Sequence, residues 1–154
     1  MNIEQRNNCI KLAKYLLTLP ENYEQFDMKS YCSSTKPPQD LALEGYACGT
    51  TACALGYGPA AGVKPSFMHG RDFHEAWGLY SLNMFGLDID TEDWDWCFSE
   101  FWEDVDNTPQ GAGKRIGYLL EGKVDGDAYV SVDSKKLYKD YTPDWSLIEG
   151  VGVK

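Results

Sequence analysis

The sequence predicts a mainly α domain, α or α+β in class, from three observations. Apolar residues recur at helical spacing through the first 122 residues, capping residues and glycine or proline stops bracket those stretches, and strand-like patterning is confined to a few residues near the C-terminus. A chain of 154 residues with 43% hydrophobic and 14% aromatic content can build one sizeable core. The expectation is a single compact domain over 1–154, with its core in 3–122, an extension in 123–154, and room for a short β-hairpin or strand in that extension.

The first helix lies between Ile3 and Leu19. Cys9, Ile10, Ala13, Leu16 and Leu17 share a face, Asn2 with Gln5 forms a capping box, and Pro20 stops the pattern. Residues 21–47 show no sustained period, and Ser33-Ser34-Thr35-Lys36-Pro37-Pro38 reads as a loop because its prolines fit neither a helix interior nor a central strand. A small-residue helix is expected over about Gly49–Tyr57, ended by Gly58-Pro59. Each glycine in it costs roughly 1 kcal/mol relative to alanine. Ala52 and Gly56, four apart, then suggest a smooth groove for another backbone or a ligand.

Asp72 with Glu75 caps the next helix, which carries Phe73, Trp77, Tyr80 and Met84 on one stripe and stops at Gly86. Asp90 or Thr91 caps a helix over 92–105 with Trp94, Phe98, Phe101, Trp102 and Val105 on its apolar face. Thr108-Pro109 opens a further helix with Ala112, Ile116, Leu119 and Leu120, and Gly122 is its exit. Gly113 and Gly117 make a second smooth groove there, and a groove shared between subunits is compatible with a symmetric homo-oligomer. Beyond Gly122, Asp125-Gly126 is a turn, Ala128–Val132 fits a short strand, and Asp133-Ser134 caps a last helical turn; strand pairing and irregular chain both remain open. The small-residue helix is expected to pack on the aromatic helices at 72–85 and 92–105.

Charge narrows the function classes. Lys and Arg total 14 against 24 Asp and Glu, and the net −10 argues against direct binding of nucleic acid or an anionic membrane. The five cysteines, Cys9, Cys32, Cys48, Cys53 and Cys97, are odd in number and widely spaced, which fits free thiols in a reducing compartment. Met1–Asn8 lacks the apolar core of a signal peptide, and no apolar run approaches the ~18 residues of a membrane span. A cytoplasmic protein is expected.

Four constellations carry possible chemistry. Cys48 and Cys53 with His69 and His74 imitate zinc-finger spacing, but helical residues five apart point roughly 140° from each other and cannot grip one ion. No metal or other cofactor is assigned. Cys48 at a helix N-terminus would have a lowered pKa, which leaves a Cys48-dependent enzyme as an alternative; no protease or nucleophile-elbow signature surrounds it, and no catalytic residue is assigned. Gly49-Thr50-Thr51 offers free N–H groups, hydroxyls and the positive helix end to a phosphate, without the closing Gly-Lys-Ser/Thr of a Walker loop. A second glycine-bearing helix start lies near Gly111. Finally, residues 88–106 carry no Lys or Arg, so the acidic helix is either a solvated face or a surface for a basic protein, as in DNA mimics; its Asp and Glu do not fall in the calcium-loop pattern.

Cys48-Gly49-Thr50-x-x-Cys53-x-x-Gly56, then Phe85-Gly86-Leu87, Phe98, Trp102, Thr108-Pro109, Ala112 and Arg115-Ile116 resemble a family of small, poorly characterised phage and bacterial proteins. The resemblance spans roughly residues 48–122 and departs at Tyr57, where that family often has His. It implies a mostly helical domain and an accessory role in the cytosol, that of the host cell if the protein is phage-encoded.

The chain reads as a binder rather than an enzyme. The first expectation is a phage-type accessory, anti-defence protein that binds or sequesters a small phosphorylated ligand such as a nucleotide signal, through Cys48, Gly49, Thr50, Thr51, Arg71, His74 and Arg115, with Trp77 as a base-stacking surface. The alternative is an acidic protein–protein inhibitor that meets a host protein through Asp93, Asp95, Glu100, Glu103 and Asp104.

Overall fold

The computed structural model describes residues 1–28, 53–64, 73–124 and 131–150, with Phe73 and His74 described by backbone alone. It is mainly helical. In order come α1 (Ile3–Thr18), a 3-10 turn (Leu55–Tyr57), α2 (Phe73–Tyr80) running into a π turn (Ser81–Phe85), α3 (Glu92–Phe98), a 3-10 helix (Glu100–Asp104), α4 (Pro109–Leu120), α5 (Lys135–Tyr138) and α6 (Trp145–Gly150).

The start and stop signals of α1 and α4 act as the sequence predicts. Asn2 Oδ1 accepts from the Gln5 amide at 2.8 Å while Gln5 Oε1 accepts from the Asn2 amide at 2.8 Å, closing the capping box. Thr108 Oγ1 accepts from the Gly111 amide at 3.0 Å, Pro109 occupies the first turn, and Gly122 exits with φ 73°. These two helices form the most extensive pair in the fold, burying Leu12, Ala13 and Leu16 against Ala112, Ile116 and Leu120. Each large aliphatic side chain so enclosed contributes roughly 1.5–3 kcal/mol of hydrophobic stabilisation.

α1 also supplies hydrogen bonds that no apolar pattern reveals. The last carbonyls of a helix lack intrahelical donors and need partners from elsewhere. Gln5 Nε2 donates to the carbonyls of Leu82 and Asn83, Asn8 Nδ2 to Met84 at 2.8 Å, and Cys9 Sγ to Phe85, so one face of α1 caps the π turn. One residue away, Arg6 donates to Leu120 O at 2.9 Å and Ile148 O at 3.1 Å, tying the C-terminal ends of α4 and α6 together.

Several expectations are corrected. Residues 53 and 54 are not helical and 55–57 form only a 3-10 turn, so the small-residue helix does not extend over its described part; residues 49–52 lie outside the described residues. The 72–85 helix changes to π geometry at Ser81, where Ser81 Oγ donates to Leu87 O at 2.8 Å, and the shifted register buries Phe85 while Met84 is half-buried. The 92–105 helix breaks at Ser99, whose ψ of 139° is extended. Beyond the break the 3-10 turn re-phases the chain: Trp102 goes inside, its Nε1 donating to Asp95 O at 3.1 Å, and Phe101 swings out to 67% exposure. Trp96 and Cys97, assigned to no apolar face, are buried.

Of the C-terminal strand, residues 128–130 lie outside the described residues, and 131–134 form a turn that leads into α5. The second smooth groove is filled by this chain itself: a Cβ at Gly113 would meet Leu17 and the Ala13 carbonyl, and one at Gly117 would meet Pro143 and the Tyr141 hydroxyl. A subunit contact through that groove is thereby closed off. No described helix is long and apolar enough to cross a membrane.

Candidate functional site

Two charged features stand out, one enclosed and one open. The enclosed one centres on Arg115, which the α4 stripe carries inward beside Ile116 and which has no solvent exposure. Its guanidinium stacks 4.1 Å from the Trp102 ring and 5.5 Å from that of Tyr138. Nη1 donates to the Tyr138 hydroxyl at 2.8 Å and to the Asp106 carbonyl at 3.3 Å, and it stands 3.6 Å from the Asp106 carboxylate. Tyr138 Oη in turn donates to Asp106 Oδ2 at 2.8 Å, and Thr108 Oγ1 donates to Oδ1 at 2.7 Å. Burial holds the Tyr138 phenol above its usual range, so it serves as a neutral O–H between cation and carboxylate. Nε and Nη2 of Arg115 have no hydrogen-bond partner among the described residues.

This arrangement corrects the expectation of an anion site near Gly111. The Asp106 carboxylate lies over the start of α4, where a Cβ on Gly111 would overlap it. The glycine makes room for the chain's own anion, which already satisfies the positive helix end. Sequence reasoning missed Asp106 and Tyr138. An Asp two residues before a capping Thr, with Gly three residues after that Thr, was the available signal for the first; for Tyr138 there was none.

The predicted ligand pocket is only partly described. Cys48, Gly49, Thr50, Thr51 and Arg71 lie outside the described residues, as does His69, and His74 is placed by its backbone in the first turn of α2. Trp77 is fully enclosed, packed edge-on against Tyr80 with ring centroids 5.5 Å apart. It presents no open face for stacking a base, because the indole has no solvent exposure. Arg115 is likewise enclosed and already faces Asp106, so it is not an open phosphate anchor. An open groove of about 830 Å³ runs along α1 between Ile3, Asn7, Lys11, Lys14 and Glu149, and none of the predicted site residues lines it.

The described cysteines are buried thiols. Burial pushes Cys9 up to about 12 and Cys53 up to about 11, and holds Cys97 well above its usual range. Such thiols carry little thiolate at neutral pH. Among the described residues, no three His, Cys, Asp or Glu side chains converge as a metal ion would require.

The open feature is the acidic face. Asp93, Asp95, Glu100, Glu103 and Asp104 are all exposed, on the turn of α3 and the 3-10 helix that follows. None of them forms an ion pair among the described residues. Partial burial, with Glu92 adding repulsion, raises the Asp95 carboxyl above its usual range. Phe101, on the same 3-10 helix as Glu100, Glu103 and Asp104, is an exposed apolar side chain.

Comparison with known proteins finds no family model, no curated protein and no solved structure that matches this chain. Function therefore rests on the geometry of these two features.

Proposed function

We propose that this is a non-enzymatic binding protein whose acidic face docks onto a basic protein surface. The observation that carries this reading is Phe101, 67% exposed on the same short helix as Glu100, Glu103 and Asp104, which form no ion pair among the described residues. An aromatic side chain of that exposure is a ready anchor for an interface, and a ring of like charges selects a partner of opposite sign and speeds its encounter.

The test is affinity capture from host lysate with the wild type and with a Glu100→Lys/Glu103→Lys/Asp104→Lys variant. A basic protein held by the wild type, and lost both by the variant and at raised salt, carries the reading. Retention of the same proteins by the variant at the same salt sinks it.

A second reading keeps the small phosphorylated ligand at Gly49-Thr50-Thr51 with Arg71, whose two hydroxyls, glycine backbone and guanidinium suit a phosphate. Saturable thermal stabilisation by a nucleotide, absent from Arg71→Ala, would support it. No shift with any nucleotide at millimolar concentration would remove it.

A further inference from the structure

The segment 100–104 and the segment 135–139 meet through Trp102 and Tyr138, whose ring centroids lie 5.9 Å apart with the Arg115 guanidinium against both. Their solvent sides carry opposite charge. Glu100, Glu103 and Asp104 are exposed on the first, and Lys135, Lys136 and Lys139 on the second. Although the segments touch, none of these charges pairs across them among the described residues: Lys136 pairs instead with Asp133, in the turn just before its own segment, at 3.2 Å. Phe101, 67% exposed, lies in the first segment, Leu137, 48% exposed, in the second, and Val132, 83% exposed, in the turn that leads into the second; Val132 and Phe101 are the two most exposed large apolar side chains among the described residues.

A surface with an acidic half, a basic half and apolar side chains in both is complementary to itself under a twofold rotation. We propose that a second copy of this chain docks there, with Phe101 of each protomer against Val132 and Leu137 of the other and the carboxylates of each facing the lysines of the other. This deepens the acidic-face reading by naming the partner, and it rests on that reading. The net charge of −10 on each chain opposes association, but screening within about 8 Å at physiological ionic strength confines that repulsion to nearby groups, so complementarity at the contact decides.

The test measures molar mass by sedimentation equilibrium over a concentration series. Three proteins are compared: the wild type, an acid-reversed variant (Glu100→Lys/Glu103→Lys/Asp104→Lys) and a lysine-reversed variant (Lys135→Glu/Lys136→Glu/Lys139→Glu). The wild type is expected to form a dimer, and each variant alone to weaken it at least tenfold. An equimolar mixture of the two variants is expected to restore a mixed dimer, because both contacts again join opposite charges, and this rescue excludes misfolding as the cause of the loss. A wild type that stays monomeric to millimolar concentration overturns the proposal, as does a dimer unmoved by either reversal or a mixture that stays monomeric. If the wild type is monomeric while the acid-reversed variant still loses a captured basic protein, the second copy is ruled out and the acidic-face reading survives. If capture and dimer are both unmoved by reversal, both readings fall.

Discussion

Asp106 and its near neighbours Glu103 and Asp104 sit within four residues of one another yet meet opposite fates. Asp106 is 6% exposed and surrounded by Arg115, Tyr138 and Thr108, whereas Glu103 and Asp104 stand in solvent without an ion-pair partner among the described residues. A carboxylate leaves water only where a cation and donors are already assembled, since burying it alone is far costlier than any single contact returns. The enclosed cluster thus fixes α4 and α5 together, and the carboxylates left outside are the ones free to meet another molecule.

The comparison breaks hardest at Arg115. Arg115→Met strands the Asp106 carboxylate in the core and is expected to cost about 3–5 kcal/mol in chemical denaturation. Adding Asp106→Asn should recover part of that loss, because it removes the stranded charge while its amide oxygen accepts from one of the Thr108 and Tyr138 hydroxyls and its NH2 donates to the other. A loss under about 1 kcal/mol for the single variant would mean that the cluster does not behave as a buried ion pair.

Next in size is Gly111→Ala, where the new methyl overlaps the carboxylate. Overpacking of this kind costs about 1–3 kcal/mol. Gly78→Ala in α2, where a Cβ meets nothing within 4 Å, is the control and should instead gain up to about 1 kcal/mol. Opposite signs in parallel urea titrations support the enclosed carboxylate; the same sign for both would refute it. Thr108→Ala removes the cap of α4 and a donor to Asp106, for a loss of about 1 kcal/mol measured the same way.

The smallest effect is expected on the open side. The Asp95 carboxyl is raised in the fold, so its contribution to stability is fully present below its unfolded value of 3.8 and is lost as pH rises through the folded value. Asp95→Asn should therefore stabilise the protein slightly at neutral pH, with the gain vanishing near pH 3. Melting temperatures across that range decide it, and a gain that grows toward low pH would reverse the assigned sign.

How much of this was legible depended on how local the cause was. Asn2 with Gln5, Thr108 with Pro109 and the stop at Gly122 act within one helical turn, and the structure realises each of them. The acidic face was legible too, since a run without Lys or Arg has to put most of its charge in water. The break at Ser99 was not: a continuous apolar period through Trp94, Phe98, Phe101 and Trp102 conceals it, and its stabilising contacts include the Trp102 indole bonding back to Asp95 O. Nor did Arg6 and Asn8 look like anything but the polar side of α1, or Gln5 like more than half of a capping box, although all three bond to helix-end carbonyls more than 70 residues away in sequence.

The sequence by itself determined a mainly helical chain, the ends of its first and fifth predicted helices, and an excess of negative charge gathered in one stretch. These follow from backbone capping, periodicity and composition, which act over a few residues. Only the tertiary structure decided which charges are enclosed and which stay open. Arg115, Asp106 and Tyr138 come from separate elements, and whether a charge is compensated depends on what lies within a few ångströms of it in space, which spacing along the chain does not specify.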